Sequence, residues 1–466
     1  MSKRHALFVI GICIIIFSGL LIAVNLANGT PYIYLICILT ILTVASLVFI
    51  KYSTFKILLR AIISKIRKSL GKDRITEGEV QIYPVISDSQ YESINSAYKL
   101  TFCGDLILLK EAVERAYRPD LKDYDFTEMF KYVGHILQKA DLAIGVFEGP
   151  TGGECLGYST SNYDDNIELK LNFPDSFAKA VKNAGFDLVS LANNHLADVG
   201  VEASHRTMNL LKSIGLSYVG AYRNKEEYER IKIINFKGYK VAVLAYTYGF
   251  NYYSDEEFIN VGLCKPVFKP ESKYFKQNIG IVREDFRKAR EAGVDSIWVI
   301  PHLGEQFLLS PDKTQRRWAD IFVELGADLI LSDHTHSVQP LEWRRNKMGK
   351  QVLIVYCPGN FVNSYTEHNG DASMLVNIYL NRKNLQPIAA SVVPLYAYCP
   401  QNGQWAGVPV KTMLNKENIS RADYRRIVEV QRLVCETALG APIGVDNLQD
   451  EYFTFPDIGY VQRKDN

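Results

Sequence analysis

Residues able to bind a metal follow short apolar runs along this chain. They are Asp105 after Gly104, Glu148 after Phe147, Asn193-Asn194-His195 with Asp198 three residues on, His302, and Asp333-His334-Thr335-His336. Carboxylate, amide oxygen and imidazole together are the donor set of a hydrolytic divalent-metal site. Such a site polarises a phosphoryl oxygen and activates water near neutral pH, and it needs open positions as well as ligands. The mixture suits Mn, Fe or Zn better than Ca, and with no C-x-x-C spacing a structural cysteine-held zinc is not expected. His195 with a carboxylate three residues on has the spacing of an imidazole oriented by a partner. Taken singly, each residue has a plainer reading, as a turn cap, a solvated carboxylate or a hydrogen-bonded histidine. Their shared placement carries the argument.

That placement requires an α/β framework. Apolar runs at 99–103, 142–146, 188–191, 241–245, 296–300, 329–331 and 352–355 read as buried strands. Amphipathic stretches at 173–184, 201–214, 281–292 and 314–325 read as helices, closed by Gly185, Gly215, Gly293 and Gly326. The order is βαβα, with a more β-rich end, which predicts a layered α/β domain. In such folds ligands gather beyond the carboxyl ends of strands, where every candidate falls.

The first fifty residues pose a separate question. No charged residue occurs between Ala6 and Ile50, and the run breaks once, at Asn28-Gly29-Thr30-Pro31. As helices, 6–27 and 33–50 would span about 33 Å and about 27 Å, against a hydrocarbon core of roughly 30 Å. A two-helix transmembrane hairpin over 1–51 is expected rather than a cleaved signal, which would have one shorter apolar region. Lys3 and Arg4 precede it, and Lys51, Lys56, Arg60, Lys65, Arg67, Lys68 and Lys72 follow it. The positive-inside rule therefore places the soluble domain in the cytoplasm, with an extracellular domain as the alternative. The basic stretch 54–70 is amphipathic, so it is either a lipid-surface segment or a plain stop-transfer flank.

The expected organisation is thus the hairpin (1–51), a basic segment and polar linker (52–97), the α/β domain (98–400) and a C-terminal extension (401–466). The formal net charge of +2 and the lack of a basic stripe beyond the membrane flank exclude a nucleic-acid partner. Eight cysteines, two of them in the apolar spans, fit free thiols better than a disulfide framework.

The motifs, taken together, resemble a known family. Phe102-Cys103-Gly104-Asp105, Phe147-Glu148-Gly149-Pro150, the run from Leu191 to Gly200 built on Asn193-Asn194-His195 and Asp198, Pro301-His302-Leu303-Gly304, Ser332-Asp333-His334-Thr335-His336 and Pro358-Gly359-Asn360-Phe361 look like successive motifs of CapA-type poly-γ-glutamate capsule synthesis proteins. That family lies within the calcineurin-like metallophosphatase superfamily. The resemblance runs from about residue 98 to 395 and implies a four-layer α/β/β/α sandwich with one or two divalent ions. It implies Asp105, Glu148, Asn194, His302, His334 and His336 as ligands, His195 as acid or transition-state stabiliser, Asp198 orienting it, and Asn193 and Asn360 lining the site. Departures from the family pattern are Val146 where an asparagine is usual, Gln306 where a glutamate is usual, and Ser332 to His336 where the run is usually Gly-His-His-Pro-His.

The resulting expectation is a multi-pass bacterial membrane protein: a metal-dependent hydrolase of a phosphoester or activated intermediate in capsule production. Arg316 and Arg317 are candidates to neutralise phosphoryl oxygens. The alternatives are a non-catalytic subunit of a polymer synthase or export complex with a degenerate site, and a metal-dependent amidase of γ-glutamyl bonds. The implied partners are the lipid bilayer and other membrane subunits of such a complex.

Overall fold

The computed structural model describes residues 83–159, 161–163, 168–416 and 419–462. The expected hairpin, the basic segment and the linker as far as residue 82 lie outside the described residues. Among the described residues no helix is long and apolar enough to cross a membrane.

The strands run in chain order as β1 (Tyr98–Leu106), β2 (Tyr117–Arg118), β3 (Asp123–Tyr124), β4 (Leu142–Phe147), β5 (Leu188–Ser190), β6 (Ser217–Val219), β7 (Lys232–Phe236), β8 (Tyr239–Thr247) and β9 (Ser296–His302). They continue as β10 (Leu329–Leu331), β11 (Leu341–Arg345), β12 (Gln351–Val355), β13 (Ala372–Leu380), β14 (Pro387–Tyr398), β15 (Ala406–Pro409), β16 (Tyr452–Phe455) and β17 (Gly459–Val461). One sheet has the order β17-β16-β14-β13-β1-β4-β5-β6, with β15 also on β14; the other is β11-β12-β10-β9-β8-β7. β2 and β3 form a small ribbon. Each large sheet has a parallel centre, β1-β4-β5-β6 in the first and β12-β10-β9-β8 in the second. The carboxyl ends within each parallel set therefore emerge together.

Side-chain alternation divides the core into layers. Leu100 and Phe102 of β1, with Ile144 and Leu188, meet Val241, Val243, Trp298 and Leu329 of the other sheet in one apolar layer. The opposite face of the first sheet, through Cys103, Ala143 and Val189, packs on Phe177, Ala178 and Val181 of the helix Asp175–Ala184. On the second sheet, Ala242, Leu244, Val299 and Ile330 pack on Val282 and Phe286 of the helix Phe275–Glu291 and on Trp318 and Phe322 of the helix Lys313–Leu325. The α/β class read from the sequence is observed. Each buried Phe, Leu or Val contributes about 1.5–3 kcal/mol.

Local signals set several boundaries. Asp312 and Gln315 form a reciprocal cap at the start of the helix Lys313–Leu325, and Gly326 ends it with φ 95°. The helix expected at 281–292 begins earlier, at Phe275, and passes through Gly280. Its apolar face, with Val282, Phe286 and Ala289 buried, offsets the roughly 1 kcal/mol that an interior glycine costs.

The segment after residue 400 joins the same sheet. β15, β16 and β17 extend it from β14, and the helix Arg421–Leu439 buries Ile427, Val430 and Val434 in the layer between the sheets. Before residue 98, Ile86 and Ile94 pack with Phe453, Phe455 and Val461. The described residues accordingly form one compact unit. The six cysteines of the described residues are all free.

Candidate metal centre

The site is assembled where parallel strands stop. In the β1–β4 ladder the register shifts between Phe102 and Asp105, and this irregularity re-aims Asp105 at the end of β1. Glu148 follows β4, Asn193, Asn194 and His195 follow β5, and His302 closes β9. The 333–336 segment follows β10, and Asn360 follows β12. Isolated bridges, Asp105 to Asn360 and His302 to Asp333, tie these strand ends together.

The donors converge in two sets that share Glu148. Glu148, His302 and His334 place ligand atoms within 4.8 Å of one another, as do Asp105, Glu148 and His336. His302 Nε2 lies 3.4 Å from Glu148 Oε1, 2.8 Å from Asn194 Oδ1 and 3.2 Å from His334 Nδ1. His336 Nδ1 lies 3.2 Å from Asp105 Oδ2 and 2.9 Å from Asn360 Oδ1. All six residues carried over as ligands thus meet in one place.

Burial supplies the test of fit. Asp105 and Glu148 are fully buried, and none of their four carboxylate oxygens has a hydrogen-bond partner; His302 Nδ1 has none either. Buried carboxylates without donors are costly, and a cation is what satisfies them. Protonation follows the same logic. Burial opposes the charge of Asp105, but His336, whose Nδ1 stands 3.2 Å from Oδ2, and the nearby His302 outweigh it and hold Asp105 at about 2. Burial, and then the charge of Asp105, push Glu148 well above the usual carboxylate range. Burial, opposed by Asp105 and reinforced by His336 and His195, lowers His302 to about 3. His334 is lowered by burial and then by His302, His336 and His195. A neutral imidazole is the form that binds metal.

The imidazoles on the β10 turn are held under strain. His334 has φ 110° and His336 φ 56°, left-handed conformations that cost non-glycine residues on the order of 1–3 kcal/mol each. The turn is clamped by Asp333 N to Pro301 O at 3.1 Å and Leu303 N to Asp333 O at 3.1 Å.

Beside the donors stands the pair read as acid and orienter. His195 Nδ1 lies 2.6 Å from Asp198 Oδ2, which also accepts from Leu171 N at 2.9 Å. Because the carboxylate only accepts, Nδ1 carries the hydrogen and Nε2 is the working atom. Asn193 shapes the turn from within: its Oδ1 accepts from His195 N at 3.1 Å and its Nδ2 donates to Phe147 O at 2.9 Å.

Residues 99–365 match the family model described as bacterial capsule synthesis protein PGA_cap. The chain belongs to that family. The capsule biosynthesis protein CapA of Bacillus anthracis is 30% identical over 336 residues, covering 70% of this chain and 73% of that protein. The PGA biosynthesis protein CapA of Bacillus subtilis (strain 168) is 24% identical over 317 residues, covering 68% and 76%. The PGA_cap match contains every candidate residue from Asp105 to Asn360.

Departures from the family pattern have structural counterparts. Val146 pairs with Asp105 in the ladder, yet its side chain lies in the apolar layer between the sheets. Gln306 does not continue a strand, since β9 ends at His302; it sits in a turn with Nε2 3.3 Å from His336 Nε2, while Glu305 is exposed. Arg316 and Arg317 are exposed on their helix. Among the described residues, no lysine or arginine pairs with the donors.

Sequence reasoning missed two polar contacts. Asn251 Oδ1 accepts from Asn194 Nδ2 at 3.1 Å, and its Nδ2 faces the unprotonated Nε2 of His195 at 3.4 Å, so it links a donor to the acid. It follows β8, and the strand-end rule reaches it once β8 is extended to Thr247. Tyr163 contacts His336 Nε2 through its hydroxyl at 2.8 Å and stands with Phe307 and Tyr365 as an aromatic wall. No motif marks Tyr163.

Proposed function

We propose that the chain is a membrane-anchored, metal-dependent hydrolase of the four-layer α/β/β/α metallophosphatase type. Its substrate is a phosphoester or an activated intermediate in the production of a capsule or poly-γ-glutamate-type polymer. The observation that carries this reading is the pair of donor sets sharing Glu148 next to an imidazole held by a buried carboxylate.

Asp105, Glu148, Asn194, His302, His334 and His336 would hold one or two ions, Mn, Fe or Zn. Such ions supply Lewis acidity toward a phosphoryl or carbonyl oxygen and acidify water. The chain's own residues do the rest. Asp198 fixes the tautomer and orientation of His195 and stabilises its charged form, so that Nε2 can hold a proton and deliver it to a leaving oxygen. Asn251 keeps that ring in register with Asn194, and the wall of Tyr163, Phe307 and Tyr365 limits water.

A neutral amide, Gln306, beside His336 favours a second reading, a non-catalytic subunit of a polymer synthase or export complex with a degenerate site. The same donors also suit a metal-dependent amidase of γ-glutamyl bonds. One experiment separates these readings: metal analysis of residues 80–466 and of its His195→Ala variant, with assays on phosphomonoester, phosphodiester and γ-glutamyl amide panels. A catalyst binds Mn, Fe or Zn in both proteins and loses about 10²–10⁴-fold in turnover without His195. Absence of transition metal, with equal turnover in both proteins, leaves the subunit reading.

Charge flanks support a cytoplasmic catalytic unit on a multi-pass anchor in the bacterial membrane, with the bilayer and membrane subunits of the polymer machinery as partners and no role for nucleic acid. An alkaline phosphatase fused after residue 100 should then be inactive. Activity of that fusion would move the unit outside the cell.

A further inference from the structure

The two edges of the His336 imidazole face different surroundings. Nδ1 looks into the metal centre, 3.2 Å from Asp105 Oδ2, 3.9 Å from Glu148 Oε2 and 2.9 Å from Asn360 Oδ1. Nε2 looks away from it, 2.8 Å from the Tyr163 hydroxyl and 3.3 Å from Gln306 Nε2. The other donor set lacks such a partner. Among the described residues no phenol stands at hydrogen-bond distance from His302 or His334, and Tyr248 meets His334 only ring to ring, with centroids 4.6 Å apart.

A neutral imidazole carries one hydrogen. With Nδ1 giving its lone pair to a cation beside two buried carboxylates, that hydrogen belongs on Nε2, and the group facing Nε2 must accept it. The Gln306 nitrogen only donates, so Gln306 could accept only by turning its Oε1 inward. The Tyr163 oxygen accepts from where it stands. A hydroxyl can also donate, so the same contact serves the ion-free ring, whose Nδ1 hydrogen points at Asn360 Oδ1. Packing keeps the phenol in place: its ring centroid lies 5.7 Å from that of Phe307, 5.1 Å from that of Tyr365 and 5.4 Å from that of His336. Imidazoles that bind metal almost always give their second N–H to an outer partner of this kind, which fixes tautomer and ring orientation.

We propose that Tyr163 is a positioning residue of the metal centre: its hydroxyl oxygen accepts the Nε2 hydrogen of His336 and keeps the Nδ1 lone pair aimed at the ion held with Asp105 and Glu148. The inference rests on the metal-centre part of the reading above and not on any reaction. It goes further by dividing the two donor sets, since one ion is supported from behind by a phenol and the other is not.

Ion affinity tests this, with no turnover measured. Full-length chain in detergent, stripped of metal, is titrated with Zn in competition with a chromophoric chelator, alongside His336→Ala, Tyr163→Phe and the double variant Tyr163→Phe with Gln306→Glu. Tyr163→Phe keeps the ring and removes one oxygen. It should weaken by about 10–100-fold the ion that His336→Ala loses, and leave the affinity of the other ion unchanged. The double variant puts a carboxylate at the position from which Gln306 Nε2 faces His336 Nε2, and affinity should recover; a loss caused by loosened packing would not recover in this way. Equal zinc affinity in Tyr163→Phe and the parent chain overturns the proposal, as does equal weakening of both ions or an absence of recovery in the double variant. A parent chain that binds no zinc removes the metal reading and this proposal together, whereas a parent that binds it beside an unaffected Tyr163→Phe removes this proposal alone.

Discussion

Metal-free protein should lose thermal stability as the pH rises from about 6.5 to 8, and a divalent cation should restore most of that loss at the upper end. Two buried acids produce the decline. Glu148 is raised by burial and then by the charge of Asp105, and Asp333 by burial and then by the same charge. In the unfolded chain such groups ionise near 4. The folded state thus keeps protons that the unfolded state has released, so this contribution is fully present below the unfolded values and lost as pH rises through the folded ones.

Two buried histidines act with the opposite sign. His302, lowered to about 3, and His334, also lowered, stay neutral in the fold while the unfolded chain takes up protons below about 6.5. Their contribution is present above that value and lost as pH falls. Between about 4.3 and 6.5 the two trends oppose each other, giving a plateau. Above 6.5 the histidine contribution is complete, so the remaining change with pH is the decline set by the two raised acids. A bound cation favours the ionised carboxylates and contributes about 2.7 kcal/mol at a hundred times its dissociation constant. Calorimetric scans at pH 6.5 and 8, in chelator and in Mn, measure this. Equal chelator midpoints at the two pH values, or an equal metal increment at both, would refute it.

How far the site could be read in advance depended on how local each signal was. Asp105, Glu148, His302 and the His334–His336 pair were legible because each follows a run of buried apolar residues, and parallel strands bring their carboxyl ends to one edge. His195 and Asp198 were legible because three residues separate them within a single turn. Tyr163 was not: it approaches His336 from a connection with no periodic pattern, and only the tertiary fold creates that contact. Asn251 was hidden by strand length, since β8 ends at Thr247 whereas the apolar run stops at Ala245. The placement of Gln306 required knowing that β9 stops at His302, followed by a turn in which Phe307 takes φ 63°. The segment after residue 400 carries none of the metal-site motifs, and its strands complete the first sheet. β15 and β16 pair with β14, and the helix that precedes β16 packs in the core.

Gly104→Ala should be the most damaging single methyl group in the site. A Cβ there would lie 1.8 Å from the Gly359 carbonyl oxygen and 3.0 Å from its carbon, backbone atoms that cannot rotate away. β1 and the Gly359 loop are held together on the next residues by the Asp105–Asn360 bridge and by Phe361 N to Asp105 O at 2.9 Å. To admit the methyl group the two backbones must part, which draws Asn360 Oδ1 from His336 and Asp105 from the shared donor set. Overpacking of a rigid contact costs about 1–3 kcal/mol, and more where no side chain can yield. A loss above ~3 kcal/mol is expected, together with loss of bound metal.

Gly215→Ala is the matching control. Gly215 has φ 71° with nothing within 4 Å of an added Cβ, so that variant bears only the conformational cost of roughly 1–2 kcal/mol and should retain metal. Urea unfolding and metal content, measured on both variants, separate the two effects. If Gly104→Ala is no less stable than Gly215→Ala and keeps its metal, the close approach of β1 to the Gly359 loop is not what holds Asp105 and Asn360 in place.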